Sequence, residues 1–266
     1  MTPMTVDGRV FRLGVSTLAD TPRERLDAEA AEIYQIFAER EREFGFGPNV
    51  LVEYPPIADP QASPFLADPA GHVAARLAEL EAEGPISRVV VLTTFGQQLL
   101  APLGASGFVS ARIDMPAGPD HTYAFTLDRA VEGEPARVLY LEAVDEADEK
   151  IRPTFVLRLV DGEGQLRGGA CGAVHMRDGR RYAYLAMLTL VPGLPPSTGT
   201  RLAMAMLDSL RSQGVAVVHL GTQTAGRFYE KLGFRVTHRL VEGLRTRLSG
   251  DGRQVNDDLV MLSLEL

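Results

Sequence analysis

The sequence predicts a mixed α/β fold with a mostly antiparallel central sheet. The clearest indication is residues 155–190, where three apolar segments of strand length are separated by turn sequences at 161–164 and 177–179. A helix follows, beginning at Thr198 or Thr200 and running through Gln213, and then come a strand, a short helix and two more strands. Antiparallel strands followed by a helix–strand–helix succession are typical of a mixed sheet.

The first half of the chain has weaker periodicity and more breaks. Alternating apolar residues predict a strand over 10–17, and apolar residues at helical spacing predict a long amphipathic helix over about 22–44. Residues 45–69 carry six prolines and leave room for one short strand at 50–54. Further strands are predicted at 88–93, 108–115, 121–127 and 137–144, helices at 70–83 and 97–103, and a helical turn at 145–150.

The polar stretch 128–136 contains Gly133 and Pro135 and is the best candidate for a domain boundary. We therefore expect an N-terminal α/β region over residues 1–130 and a second domain over residues 131–266.

Composition excludes several classes of protein. The chain has 266 residues and a net charge of −8, which argues against a general nucleic-acid-binding protein and leaves room for a cationic substrate. Its single cysteine excludes a disulfide framework and a thiolate metal cluster within one chain. It lacks an apolar run of the roughly 20 residues that span a bilayer, and the N-terminus is unlike a signal peptide. We expect a cytoplasmic protein that binds no metal, nucleic acid or membrane, either a monomer or a homodimer.

Three segments carry a resemblance to a known family. They are the strand 185–191, the turn Pro196–Leu202 and the segment Phe-Tyr-Glu-Lys-Leu-Gly-Phe at 228–234. Together they resemble the GNAT family, the acyl-CoA-dependent N-acyltransferases, over roughly residues 150–266. The resemblance implies the GNAT type of mixed sheet, acetyl-CoA as co-substrate, and transfer of its acetyl group to a primary amine by direct attack.

Local physical chemistry supports a phosphate site at the turn. A helix start presents free backbone N–H groups and the positive end of the helix dipole, which suit the diphosphate of coenzyme A. The candidate residues are Ser197, Thr198, Gly199, Thr200 and Arg201. Gly199 is expected to allow close approach of the backbone, and Arg201 to add positive charge. The loop departs from the family pattern, because Ser197 replaces a glycine and Pro195 and Pro196 carry no N–H.

The resemblance also implies roles for residues nearer the reacting atoms. Tyr229 takes the place of a tyrosine that protonates the departing thiolate, while an alternative role is packing of the short helix against the sheet. The backbone N–H groups of Leu188 and Leu190 would polarise the thioester carbonyl. Thr222 falls where relatives place an asparagine that holds the pantetheine arm.

The general base is left open. Residues 181–191 contain no carboxylate, so His175, His219, Tyr184 and water are the candidates. Cys171 lies among small apolar residues and is interpreted as a packed thiol rather than a nucleophile. The missing carboxylate also supports an alternative function, a non-catalytic acyl-CoA-binding or regulatory module.

The first half of the chain is a candidate for a degenerate copy of the second. Residues 89–108 and 215–234 share the succession of a buried strand, a short helix, Leu-Gly or a similar pair, and Gly-Phe. We expect such a copy to lack coenzyme A binding, and the acceptor contacts to come from the first half and from residues 145–153 and 241–254. A family-specific α/β extension is the alternative.

Overall fold

The computed structural model describes residues 1–55, 62–94, 104, 107–113, 123–131, 137–144 and 152–266. The protein is a mixed α/β protein with a mostly antiparallel sheet, as predicted. The predicted helix at 97–103 and the helical turn at 145–150 lie outside the described residues.

Most helices and strands follow the predicted succession, whereas the strands Thr2–Val6 and Gly45–Phe46 and the helix Pro64–Ala67 were not predicted. The helices are α1 (Arg23–Glu41), α2 (Pro64–Ala67), α3 (Pro69–Glu81), α4 (Thr198–Ser212) and α5 (Gly226–Lys231). The strands of the first half are β1 (Thr2–Val6), β2 (Arg9–Thr17), β3 (Gly45–Phe46), β4 (Val50–Glu53), β5 (Ile86–Thr93), β6 (Val109–Ile113), β7 (Tyr123–Asp128) and β8 (Arg137–Ala143). Those of the second half are β9 (Phe155–Val160), β10 (Leu166–Arg177), β11 (Arg180–Leu190), β12 (Val215–Thr222), β13 (Arg235–Leu248) and β14 (Gln254–Glu265).

The larger sheet has nine strands in the order β1-β2-β9-β10-β11-β12-β14-β13-β3. Strands β1, β2, β9, β10 and β11 pair antiparallel in succession, and β11 then pairs parallel with β12. Strand β14 returns antiparallel to β12. Because a parallel pair needs a crossover between its strands, α4 connects β11 to β12.

Helices cover this sheet because the strands alternate apolar residues toward each face. Helix α4 buries Leu202, Met206 and Leu210 in one core with Leu185 and Leu220 of the sheet. Helix α1 packs with Leu26, Ala30 and Ile33 in a second core that includes Val156 and Cys171. The two helices therefore lie on opposite faces.

The smaller sheet has the order β4-β8-β5-β7-β6. Strands β4, β8 and β5 are parallel, and β7 pairs antiparallel with β5 and with β6. Helix α3 packs on it with Val73, Leu77 and Leu80, which form one core with Val89 and Val91.

The chain divides into two compact units, and the division differs from the predicted boundary at residue 130. Unit 1 comprises Met1–Phe44, Asp148–His238 and Val260–Leu266, and unit 2 comprises Gly45–Ala147 and Arg239–Leu259. The first 44 residues belong with the second half because β2 pairs along its length with β9, from Arg12↔Val160 to Thr17↔Phe155. Because this pairing joins residues far apart in sequence, the position of the polar stretch 128–136 gave no information about it.

Candidate functional site

The candidate site lies where β11 and β12 part. The two parallel strands pair from Arg181↔Val215 to Leu185↔Leu220, and no pairing continues beyond that point. Both strands nevertheless run on, β11 to Leu190 and β12 to Thr222. A gap therefore opens between them, with the last residues of β11 along one side.

The backbone of β11 presents unpaired donors to this gap. On its other edge β11 pairs with β10, where a bulge at Ala186 separates the pairs Cys171↔Met187 and Gly172↔Leu185. The N–H of Val191 donates to the carbonyl of Arg167 at 3.0 Å, so Val191, and with it Thr189, faces β10. Backbone groups alternate in direction along a strand, which turns the N–H groups of Leu188 and Leu190 toward the gap.

The N-terminus of α4 follows β11 after a proline-rich loop. Ser197 is its N-cap residue, and in the described chain the Ser197 side chain makes no capping hydrogen bond. Among the described backbone groups, the N–H of Thr198 donates to Pro195 at 3.0 Å and that of Arg201 to Ser197 at 3.0 Å, whereas Gly199 and Thr200 have no such acceptor. Two N–H groups of the first turn are thus available to an anion.

The five predicted phosphate-site residues are brought together, but they differ in access. Thr200 and Arg201 are exposed, and Ser197 and Gly199 are partly exposed. Thr198 is 0% exposed, and its hydroxyl is enclosed without a hydrogen-bond partner in the described chain. Its N–H is also used within the chain, and a role for Thr198 in phosphate binding stays a prediction.

At Gly199 the described chain leaves room for a Cβ. A Cβ placed on it would lie 3.5 Å from Leu190 Cδ1 and 3.7 Å from the ring of Phe228, which is ordinary van der Waals contact. A side chain at position 199 would therefore point toward β11 and α5. The same contact shows that Leu190, the first turn of α4 and α5 are immediate neighbours.

Tyr229 is fixed within α5 by aromatic packing. Its ring makes edge contacts with Phe228 and Phe234, with centroids 5.1 and 5.5 Å apart, and it is 7% exposed. Burial raises the pKa of Tyr229 well above its usual value near 10. The hydroxyl has no hydrogen-bond partner in the described part of the chain and is not fully enclosed. It is therefore a protonated phenol with an unused O–H donor.

Thr222 serves the local structure. It is the last residue of β12, and its Oγ1 accepts a hydrogen bond from the N–H of Ala225 at 3.1 Å, immediately before α5. This bond occupies an acceptor and leaves the O–H as a donor. The bond holds the turn that leads from β12 into the N-cap residue Ala225, and the sequence did not reveal this local role.

The base candidates lie on the face of the sheet opposite α4. The rings of His175, Tyr182 and His219 follow one another across β10, β11 and β12, with centroid distances of 5.2 and 5.9 Å. Burial lowers the pKa of His219, an effect that the charge of Glu265 opposes, and its Nδ1 is enclosed without a partner among the described groups. The hydroxyl of Tyr184 reaches the start of the gap, 3.4 Å from the position of a Cβ on Gly221.

Two further observations limit the chemistry. Burial raises the pKa of Cys171 to about 12, so its thiol stays protonated and packed beneath α1. Over the ranges that the structure describes, His, Cys, Asp and Glu side chains form no group of three or more that could hold a metal ion. No helix in those ranges is long and apolar enough to cross a membrane.

Several solved structures of acetyltransferases are similar to part of this chain. A GNAT family acetyltransferase from Elizabethkingia anophelis with acetyl-CoA bound is 14% identical, with a TM-score of 0.32 over 42% of this chain and 76% of that chain. The ribosomal-protein-S18-alanine N-acetyltransferase from Escherichia coli is 20% identical, with a TM-score of 0.31 over 44% and 70%. The IAA acetyltransferase from Bacillus cereus is 16% identical, with a TM-score of 0.34 over 44% and 79%. No family model and no curated protein matches the chain.

Proposed function

We propose that the protein is an acetyl-CoA-dependent N-acetyltransferase whose acceptor is a primary amine. The observation that carries this proposal is the parting of β11 and β12 after the pair Leu185↔Leu220, beside an α4 N-terminus without a side-chain cap. An extended ligand with an anionic end fits this arrangement. Its chain finds N–H donors along β11, and its anion finds N–H donors on α4.

This geometry supports an assignment of the residues that hold acetyl-CoA. The N–H groups of Gly199 and Thr200, with the hydroxyl of Ser197 and the charge of Arg201, bind the diphosphate. The O–H of Thr222 donates to the pantetheine arm, because its oxygen already accepts from Ala225. Acetyl-CoA supplies an activated acetyl thioester, and the N–H groups of Leu188 and Leu190 hold its carbonyl oxygen as negative charge develops there.

The burial of Tyr229 affects the proton-transfer step. The amine nitrogen bonds to the acetyl carbon, the carbon–sulfur bond breaks, and the sulfur leaves with the electron pair. Tyr229 donates its proton, or a strong hydrogen bond, to that sulfur. Its raised pKa keeps the phenol protonated at neutral pH but makes complete transfer to a thiolate, of pKa about 8.5, unfavourable. We therefore assign Tyr229 chiefly the role of hydrogen-bond donor.

A second function is supported by one specific feature. Residues Arg180–Leu190 contain no carboxylate, so β11 offers no strong base beside the gap. A non-catalytic acyl-CoA-binding module with the same fold accounts for this. Direct attack by an amine that loses its proton to water or to Tyr184 accounts for it equally well.

The two functions are separated by binding and turnover measured together. Acetyl-CoA binding is followed by isothermal titration, and thiol release is followed with a panel of primary amines, including polyamines, amino acids and peptides with free N-termini. Saturable binding with amine-dependent thiol release supports the transferase. Binding without release by any amine supports the module, and absence of binding contradicts both.

A further inference from the structure

Arg40 reaches the unpaired end of β11 from a helix 150 residues earlier in sequence. Its Nη1 donates a hydrogen bond of 3.1 Å to the carbonyl oxygen of Leu190. Arg40 lies in the last turn of α1, where a positive charge is favoured by the helix dipole. Its paired carboxylate is that of Glu43, 3.9 Å from Nη2, and the two side chains are 37% and 57% exposed. This is a weak surface pair.

Leu190 connects Arg40 to the candidate phosphate site. The side chain of Leu190 contacts the Cβ position of Gly199, and its carbonyl accepts from Arg40. The Arg40 guanidinium and the first turn of α4, with its free N–H groups, therefore both lie next to Leu190. A guanidinium carries five N–H donors, so the bond to Leu190 leaves four for an anion.

We propose that Arg40 binds the diphosphate of acetyl-CoA, opposite the first turn of α4. The inference rests on the proposed function and adds to it a phosphate-binding residue that the sequence did not single out. The Leu190 carbonyl holds the guanidinium at the mouth of the gap, where its planar fork meets phosphate oxygens. A charged anchor at this position offsets the donors that Pro195 and Pro196 remove from the loop.

The experiment compares ligands that differ in their phosphates. Coenzyme A, dephospho-coenzyme A and pantetheine are tested against the full chain and against Arg40→Met and Arg40→Lys, by titration and, for pantetheine, by competition. Arg42→Met is the control, because Arg42 is the adjacent exposed arginine at the end of α1. Circular dichroism and thermal melting confirm that every variant is folded.

We expect Arg40→Met to weaken both nucleotides by about tenfold or more, the range for hydrogen bonds to charged groups. Pantetheine affinity stays unchanged, Arg40→Lys shows an intermediate loss, and Arg42→Met binds like the unaltered chain. If Arg40→Met loses the same affinity for all three ligands, Arg40 only supports the end of β11. If it loses affinity for coenzyme A alone, Arg40 contacts the 3′-phosphate instead of the diphosphate. Either result overturns the inference, as does unchanged binding by Arg40→Met. Absence of binding by the unaltered chain overturns the proposed function as well.

Discussion

Tyr229 is the residue where packing and chemistry are most closely combined. Its ring belongs to the core of unit 1, while its hydroxyl is unused by the protein. Removing that hydroxyl should therefore cost little stability and much activity. We expect Tyr229→Phe to lower amine-dependent thiol release about a hundredfold, the lower end of the range for acid–base groups, with acetyl-CoA affinity retained. Unchanged turnover with a productive amine would remove Tyr229 from the mechanism.

His219 should make stability depend on pH. Burial lowers its pKa in the folded protein, so below its ordinary value near 6.5 the unfolded chain takes up a proton that the folded chain resists. The free energy of unfolding should then fall as the pH drops from about 7 to 5, and His219→Gln should reduce that fall. Urea denaturation at several pH values measures both slopes. Identical slopes would show that other groups control the acid sensitivity.

Gly199 is a predicted site residue whose role depends on its three-dimensional surroundings. Its place at the start of α4 was predicted, but the direction of its missing Cβ depends on where Leu190 and Phe228 lie. We expect Gly199→Ala to fold and to bind acetyl-CoA within about threefold of the unaltered chain, a change of less than about 1 kcal/mol, because the added Cβ would make only ordinary van der Waals contacts. A large loss of acetyl-CoA affinity in a folded Gly199→Ala variant would show that glycine is required at this position.

At the scale of elements, α3 and α4 begin in opposite ways. The Asp68 side chain caps α3 by accepting from the N–H of Gly71 at 2.9 Å, whereas Ser197 makes no capping bond among the described groups. We expect Asp68→Ala to lower the free energy of unfolding by about 1 kcal/mol, and Ser197→Ala to change it by far less. Denaturant unfolding of the full chain compares the two variants directly. Equal losses would mean that Ser197 caps α4 in solution.

Periodicity predicted most elements, because apolar spacing depends only on the local chain. The hairpins β9–β10 and β10–β11 and the long helices α1, α3 and α4 lie within a few residues of their predicted bounds. The strand pairing was not predictable in the same way. The joining of β2 to β9, the bulge at Ala186 and the end of pairing at Leu185↔Leu220 all depend on contacts between distant segments. The contact between Arg40 and Leu190 is of the same kind.

At the scale of the whole molecule, the two sheets share a pattern of strands. In unit 2 a helix, α3, precedes β5, and the order β8-β5-β7-β6 follows the order β11-β12-β14-β13 of the larger sheet. In both sets a central strand has a parallel neighbour on one side and an antiparallel one on the other. We propose on this basis that the smaller sheet is a degenerate copy of the β11–β14 part of the larger sheet, with β8 supplied from a different place in the chain.

The described residues of unit 2 do not form the two features on which the proposed site depends. Its parallel strands β5 and β8 stay paired from Ile86↔Arg137 to Thr93↔Ala143, and the N–H of Thr94 continues the ladder to Ala143 at 3.2 Å. Over these described residues no gap opens between β5 and β8, in contrast to the gap between β11 and β12. The carboxylate of Asp68 already occupies the start of α3 and would repel a phosphate placed there.

We therefore expect one acetyl-CoA to bind per chain, at the site in unit 1. Titration calorimetry should give a stoichiometry of one, and Arg40→Met should weaken that single event. Removing the Asp68 carboxylate should not create a second event, because the ladder between β5 and β8 remains closed to the pantetheine arm. The titration is therefore repeated with Asp68→Ala. A stoichiometry of two, in the unaltered chain or in this variant, would show that the paired strands β5 and β8 do not exclude the ligand.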